Sequence, residues 1–326
     1  MRPKRLLLAA ALTVALAPGT WLRSPPPPSA LQPHVTLTPI AAQQRTAGPF
    51  TLLGAWELAG DRLRFGGISA LVALPDGRFL AGSDTGRKLE FHRPDRWRRT
   101  GLFSAFEPSE TSYKMGRDLE SLAVDPETGT VWAGYEYREA IVRLDAAFRP
   151  DKEVRPALMA DWASNSGVES LVRLADGRFL AIEERSRRWR GSRHMAVLFS
   201  GDPVEDDNPQ SVVVDIPAGY RPVDAAPVGK GRALVLLRRL DWGIPLGFET
   251  AIAELDVDAP DDDGIVTARL LAELGKTIPR DNYEGLTLTE DADGQHVWLI
   301  SDDNFMSFQR TLLLKLRWQT REKARE

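Results

Sequence analysis

NYEGLTLTEDADGQHVWLISDDNFMSFQR, residues 282–310, is the stretch from which the rest of the chain is read. It predicts a strand over Gly285–Thr289, a turn over Asp291–Gly294, a second strand over His296–Ser301 and a polar loop, Asp302-Asp303-Asn304, that no core requires. Earlier stretches repeat the plan: GGISALVALPDGRFLAGSD from Gly66, DLESLAVDPETGTVWAGYE from Asp118, SGVESLVRLADGRFLAIEE from Ser166 and a degenerate PVDAAPVGKGRALVLLRR from Pro222. Aligning the copies puts Ser69, Glu120, Glu169, Asp224 and Glu284 at one place, with separations of 51, 49, 55 and 60 residues. Self-similarity at that period, with short apolar runs between Asp-Gly, Pro-Asp and Gly-Lys-Gly turns, is the sequence signature of a propeller.

Each interval holds four candidate strands. In the first they are Ala70–Leu74, Arg78–Ser83, Lys88–His92 and Gly101–Phe106; in the second, Ser121–Val124, Val131–Tyr135, Ala140–Leu144 and Val154–Met159. The last unit has only three, ending with Thr311–Trp318, while a spare strand, Phe50–Leu58, precedes the first. The expected fold is therefore all-β: a β-propeller of five four-stranded blades, closed by the N-terminal strand completing the last blade and hiding an open edge. Six blades, with residues 35–65 and parts of the longer fourth unit making a degenerate extra one, is the alternative.

The hairpins sort the loops. If each first strand starts at the mouth of the channel, each second strand ends there. The tight turns Pro75-Asp76-Gly77 and Ala175-Asp176-Gly177 then lie at the far end, and the longer loops over residues 107–117, 185–194, 238–248, 276–283 and 302–310 lie at the mouth. Long loops on a rigid scaffold are where binding groups concentrate, so the mouth is the expected working face.

That face is rich in acids. First-strand positions supply Glu120, Glu169, Asp224 and Glu284; second-strand ends supply Asp84, Glu136, Glu184 and Asp302, with Asp303 and Asn304 beside it. Crowded carboxylates need protons, basic partners or a divalent cation, and Ca2+ suits an all-oxygen donor set best. The competing reading is that each carboxylate pins a neighbouring blade by accepting backbone N–H bonds. Arg87, Arg117, Arg185 and Arg239 fall next to these acids by sequence offset, either to bind an anionic ligand or to pair with the acids. A basic run, RSRRWRGSR over Arg185–Arg193, is placed to draw anions to the mouth.

Other chemistries fit less well. Gly67-Ile68-Ser69-Ala70-Leu71 lacks the last glycine of a nucleophile elbow, and of the four histidines only His194 falls on the mouth side. No cysteine is present and no two histidines are close in sequence, which excludes thiolate zinc, disulfides and a lipobox.

With 43% hydrophobic and 27% charged residues the chain has the composition of an ordinary globular protein. Met1–Arg5 is basic, Leu6–Ala17 is apolar and Pro18-Gly19 ends the run, the plan of a secretory leader. The expected organisation is a signal peptide or N-terminal anchor over 1–23, a Pro-rich linker over 24–48, the propeller over 49–320 and a charged tail over 321–326. The mature chain is expected to be a monomer in the periplasm or outside the cell, with an uncleaved leader tethering it to the inner membrane as the alternative. Its formal charge of −4 becomes more negative once the leader's Arg2, Lys4, Arg5 and Arg23 are removed, which argues against nucleic acid as a partner.

The starts Gly167-Val168-Glu169-Ser170-Leu171 and Tyr283-Glu284-Gly285-Leu286, the Asp-Gly turns and the closing Leu299–Phe305 with Gln309-Arg310-Thr311 resemble the phytase-like proteins described as having esterase-like activity. The resemblance spans roughly residues 50–320 and implies an exported propeller with phosphoester or ester hydrolysis. No residue roles come with it. The function expected from the residues is hydrolysis of a small anionic ester, probed first with phosphoesters, with Glu169, Glu284, Arg185 and Arg239 as candidate catalytic residues and calcium at the carboxylates. A noncatalytic propeller that binds a ligand or envelope partner on the same face is the alternative.

Overall fold

Short apolar runs cut by Asp-Gly and Pro-Asp turns leave no room for an amphipathic helix. In the computed structural model, which describes residues 34–60, 65–96, 99–106, 118–162, 167–187, 191–243, 247–306 and 308–319, the helices are confined to single 3-10 turns at Ala157–Met159 and Gly275–Thr277. Among these residues no helix is long and apolar enough to cross a membrane. The leader, residues 24–33, Arg117 and the tail lie outside the described residues.

The chain opens with β1 (His34–Pro39), β2 (Thr46–Ala47) and β3 (Phe50–Gly60). Then come β4 (Ile68–Ala73), β5 (Arg78–Ser83), β6 (Arg87–His92) and β7 (Thr100–Ala105), followed by β8 (Leu119–Val124), β9 (Val131–Tyr135), β10 (Ala140–Leu144) and β11 (Pro150–Val154). The third group is β12 (Val168–Arg173), β13 (Phe179–Ser186), β14 (Arg193–Phe199) and β15 (Gln210–Asp215). The fourth is β16 (Arg221–Gly229), β17 (Arg232–Asp241) and β18 (Gly247–Asp256), with β19 (Ile265–Thr267) and β20 (Arg269–Glu273); β21 (Asn282–Asp291), β22 (Gly294–Asp302) and β23 (Thr311–Trp318) end the chain.

Within each group consecutive strands pair antiparallel, and the first strands β4, β8, β12, β16 and β21 pack each against the next and β21 against β4. The fold is β-propeller-like. Hydrophobic clusters fill the space between successive sheets, for example Phe79, Phe91 and Trp298 on one side of β4 and Leu80, Leu122 and Ala133 on the other. β19 leaves the fourth group to pair parallel with β15, fastening the third sheet to the fourth.

Two expectations need correction. The second group's last strand is Pro150–Val154, not Val154–Met159, because an outermost strand is solvated on most sides and needs few apolar residues. The apolar Ala157–Met159 is instead a 3-10 turn that buries Met159. The expected linker over 24–48 contains strand: β1 pairs with β3 on one edge and β7 on the other, and β2 pairs with β3. Val35 and Leu37 of β1 are buried against Trp56 and Phe103, so the segment is part of the packed body.

Candidate functional site

The mouth is built by a repeated irregularity. In every first strand the pairing register slips, between Ile68 and Ala70, Leu119 and Ser121, Val168 and Ser170, Pro222 and Asp224, and Tyr283 and Gly285. A bulge leaves one residue unopposed and re-aims its side chain. The unopposed residues are Ser69, Glu120, Glu169, Val223 and Glu284. Opposite the residue before each bulge stand Ser83, Tyr135, Glu183, Leu237 and Ser301 of the second strands, so the next residues, Asp84, Glu136, Glu184, Arg238 and Asp302, form a second tier at the same end.

The fourth unit therefore departs from the expected alignment by one residue. Val223 holds the bulge, and Asp224 takes the position of Ser121 and Ser170 in the earlier units. There Asp224 is fully buried, its Oδ2 accepting from the Leu286 N–H at 2.6 Å and its Oδ1 from the Ala225 N–H at 2.8 Å. Ser121 plays the matching part by donating its hydroxyl to the Val168 carbonyl of the neighbouring sheet at 2.7 Å. Asp224 thus joins adjacent sheets, the pinning role expected of a carboxylate that accepts backbone N–H bonds.

The acids of the second and third units converge. One carboxylate oxygen from each of Asp118, Glu120 and Glu136 lies within 4.8 Å of the others. Burial, then the charges of Glu169, Asp118 and Glu136, raises the Glu120 carboxyl well above its usual range, and burial with Glu184 does the same to Glu169. Glu136 is pushed up to about 7 by burial, with Asp118 and Glu184 adding to it. Below this tier the channel is an apolar cavity of about 160 Å³ lined by Val72, Leu122, Leu171, Ala226 and Leu288, so solvation of the acids from that side is poor.

The opposite side of the mouth carries Asp84, Asp302 and Asp303. Burial pushes Asp302 up to about 8, with Asp303 and Asp84 as neighbouring charges, and raises Asp303 as well. Asp303 Oδ1 accepts from the Gly67 N–H at 3.1 Å. Gly67 sits at φ 64°, and a Cβ there would overlap the Asp84 carboxylate, so only glycine permits the approach. Asn304 is exposed, and it is its backbone N–H that reaches an acid, donating to Asp302 Oδ1 at 2.8 Å.

Between the two sides stands Arg238, which the sequence reading passed over. Its Nη2 donates to Glu184 Oε1 at 3.0 Å, and its Nη1 contacts Glu284 and donates to Asn282 Oδ1 at 2.9 Å. Arg221 closes the network by donating to Glu184 Oε2 at 2.7 Å, and Asn282 Nδ2 donates to Glu284 Oε1 at 2.8 Å. Glu184 and Glu284 are therefore paired to guanidinium. Asp118, Arg221 and Asn282 share one place in the repeat, two residues before each bulge, a signal that was present in the sequence.

Arg239, the expected rim arginine, is not beside the acids. Neighbouring strand residues point to opposite faces, and Arg239 stacks over Tyr220 at 4.3 Å and binds Glu249 Oε2 through Nε at 2.9 Å. Arg185 is exposed and makes no ion pair among the described residues. Arg87 lies over the Phe103 ring at 5.7 Å. Ser69 donates its hydroxyl to the Leu119 carbonyl at 2.5 Å, and His194 is fully buried with Nδ1 3.0 Å from the Glu183 carbonyl, so neither takes part in a nucleophile–base pair.

The raised carboxyls make a pH prediction. A carboxyl whose folded pKa lies above its unfolded value binds more protons when folded, so its stabilising contribution is complete below about pH 4 and is lost as pH rises through the folded value. For Glu136 and Asp302 those folded values are about 7 and about 8. Burial lowers His194 and His296, which act in the opposite sense below about pH 6.5, so in chelator the urea midpoint should fall between about pH 6.5 and about 8, and saturating calcium should flatten the slope. A midpoint that rises across this range in chelator would contradict the crowding described here.

A hydrazine synthase from Kuenenia stuttgartiensis is 12% identical, with 78% of this chain and 64% of that chain covered and a TM-score of 0.38. A PQQ-bound aldose sugar dehydrogenase from Streptomyces coelicolor is 13% identical, with 84% of this chain and 100% of that chain covered and a TM-score of 0.44. Among curated proteins none matches the chain. The phytase-like family model, described as esterase-like activity of phytase, matches residues 63–305, from just before the first bulge to the loop carrying Asp302 and Asp303. The chain belongs to that phytase-like family.

Proposed function

We propose that this protein is an exported hydrolase of a small anionic ester, a phosphoester first, working with a divalent cation at the mouth of a five-bladed propeller that β3 closes. The five-blade count is supported by the first strands that ring the channel and by β3 pairing along β23. Of residues 35–65, offered as material for a sixth blade, the described strands β1–β3 continue the sheet between β23 and β7 and add no first strand at the channel. Export is supported by the basic, apolar, Pro-Gly order of residues 1–19.

The observation that carries the reading is the meeting of Asp118, Glu120 and Glu136 within 4.8 Å. The donors are all carboxylate oxygens, hard ligands suited to calcium, which takes about 6–8 oxygens and leaves positions for water and substrate. Bound there, the ion would neutralise the crowded charge, polarise an ester oxygen and acidify a water. Glu169, whose charge acts on Glu120 and which itself is raised by burial and the charge of Glu184, is placed to hold and pass a proton. Arg238, fixed by Glu184 and Glu284, supplies positive charge to an anionic group, and Arg221 presents a half-exposed guanidinium beside it. Arg239 has no part in this scheme.

The test is a hydrolysis screen over phosphomonoesters, phosphodiesters and carboxylic esters with calcium and with chelator. Turnover should require the cation, and Glu169→Gln should lower kcat about a hundredfold with calcium binding retained. Calcium binding without turnover of any ester would favour a noncatalytic binder on the same face, and turnover that persists in chelator would remove the cation from the reaction.

A further inference from the structure

Exposed apolar side chains are unevenly placed on this molecule. Among the described residues the large ones are Tyr137, Leu158, Trp242, Phe305, Met306 and Phe308, together with Leu102 and Leu270. The last two sit on the outermost strands β7 and β20. The first six all lie in loops at the mouth: after β9, between β11 and β12, after β17 and between β22 and β23. The far end, with its Asp-Gly turns, exposes none among the described residues. Trp242 is 69% exposed and Phe308 68%, values that a merely tolerated surface residue does not need. Tyr137 and Phe305 are moreover held at φ 61° and 53°, a conformation costly for aromatic residues, which turns their rings outward from tight loops.

We infer that the rim of the mouth docks on a lipid bilayer surface. The apolar groups are separate tips on loops from several units, not one flat patch, and tips of Trp, Tyr, Phe and Met suit a fluid interface that each can enter independently. Charge agrees with anionic lipid: Arg185, Arg187 and Arg193 on the same face are exposed and make no ion pair among the described residues, whereas the carboxylates are recessed in the channel. The chain's path agrees as well. β7 runs toward the mouth, and β1 pairs antiparallel to it with His34 opposite Leu102 and Thr36 opposite Thr100, so the chain reaches β1 from the mouth side. The apolar run Leu6–Ala17 precedes that point. A rim that faces the bilayer would bring the acidic mouth to ester headgroups at the membrane surface.

The test uses the full chain and sedimentation with vesicles of phosphatidylglycerol and phosphatidylethanolamine. The double variant Trp242→Ser/Phe308→Ser should lower the partition coefficient roughly tenfold, since two large apolar side chains leave the interface. Leu102→Ser/Leu270→Ser, also exposed but on the flanks, should leave it unchanged, and high salt should weaken wild-type binding. Both variants alter exposed residues, and equal melting temperatures verify folding. Failure of the wild type to sediment overturns the inference. So does equal sedimentation of both variants, which would assign binding to residues 1–33 alone, or a concentration-dependent dimer abolished by Trp242→Ser/Phe308→Ser, which would make the rim a contact between copies. None of these outcomes depends on turnover, so they separate from failure of the hydrolase reading.

Discussion

Deletion of Phe50–Leu58 should abolish the cooperative melt, whereas deletion of residues 1–33 should leave the melting temperature almost unchanged. β3 pairs along the whole length of β23, from Thr311 opposite Leu58 to Trp318 opposite Phe50. It also carries Phe50, Leu52 and Ala55 into the cluster shared with Leu286, Leu299 and Leu314, and Trp56 stacks on Trp298 at 5.8 Å. Its removal exposes the edge of β23 and strands β1 and β2, which pair with β3 on its other side. Each fully buried large side chain lost costs about 1.5–3 kcal/mol, and several together exceed the roughly 5–15 kcal/mol that stabilises a typical native protein. Comparable melts of the two truncations, followed by circular dichroism, would show that the ring does not depend on its N-terminal strand.

Arg238→Met should destabilise the protein by about 3–5 kcal/mol, read from the urea midpoint, because it leaves the buried Glu184 and the partly buried Glu284 without their shared cation. Glu184 is 4% exposed. Arg221, half exposed, still reaches Glu184 but not Glu284 in the pairs described. Arg239→Ala, one residue along, removes a pair with Glu249 in which both partners are more than a third exposed, and should cost at most about 1 kcal/mol. Arg238→Lys should lie between, since an ammonium cannot span Glu184 and Glu284 as the fork does. Equal costs for Arg238→Met and Arg239→Ala would mean that the network at the mouth is solvated and weak.

These two residues also show where sequence reading stops. The repeat from Ser69 to Glu284 was legible because a propeller-like sheet needs an apolar inner strand and a tight turn at each return, and both leave strong signals. Strands at the centre were found within a few residues, and Val131–Tyr135 and Ala140–Leu144 to the residue. β11 and β1 were missed because outer strands carry polar residues or lie in a Pro-rich context. At the site the difficulty was register. A bulge adds one residue to one strand, so the fourth copy, PVDAAP, aligns its acid with the others by eye while the backbone aligns Val223. The same slip of one separates Arg238 from Arg239, and strand alternation turns that slip into opposite faces. Asp118 leaves its signal at a different place in the repeat from the bulge: Asp118, Arg221 and Asn282 mark a polar position two residues earlier.

The proposed cation at the mouth is tested most directly by thermal melts of wild type, Glu120→Gln and Glu136→Gln across a calcium titration. The wild-type melting temperature should rise with calcium, the added stability reaching about 2.7 kcal/mol when calcium is a hundred times its dissociation constant. Each amide replaces a charged ligand with a nearly isosteric neutral one and relieves the crowding. Both variants should therefore be at least as stable as wild type in chelator, and both should lose most of the response to calcium. A calcium response in both variants equal to that of wild type would place the ion elsewhere and contradict the assignment of Asp118, Glu120 and Glu136 as its site.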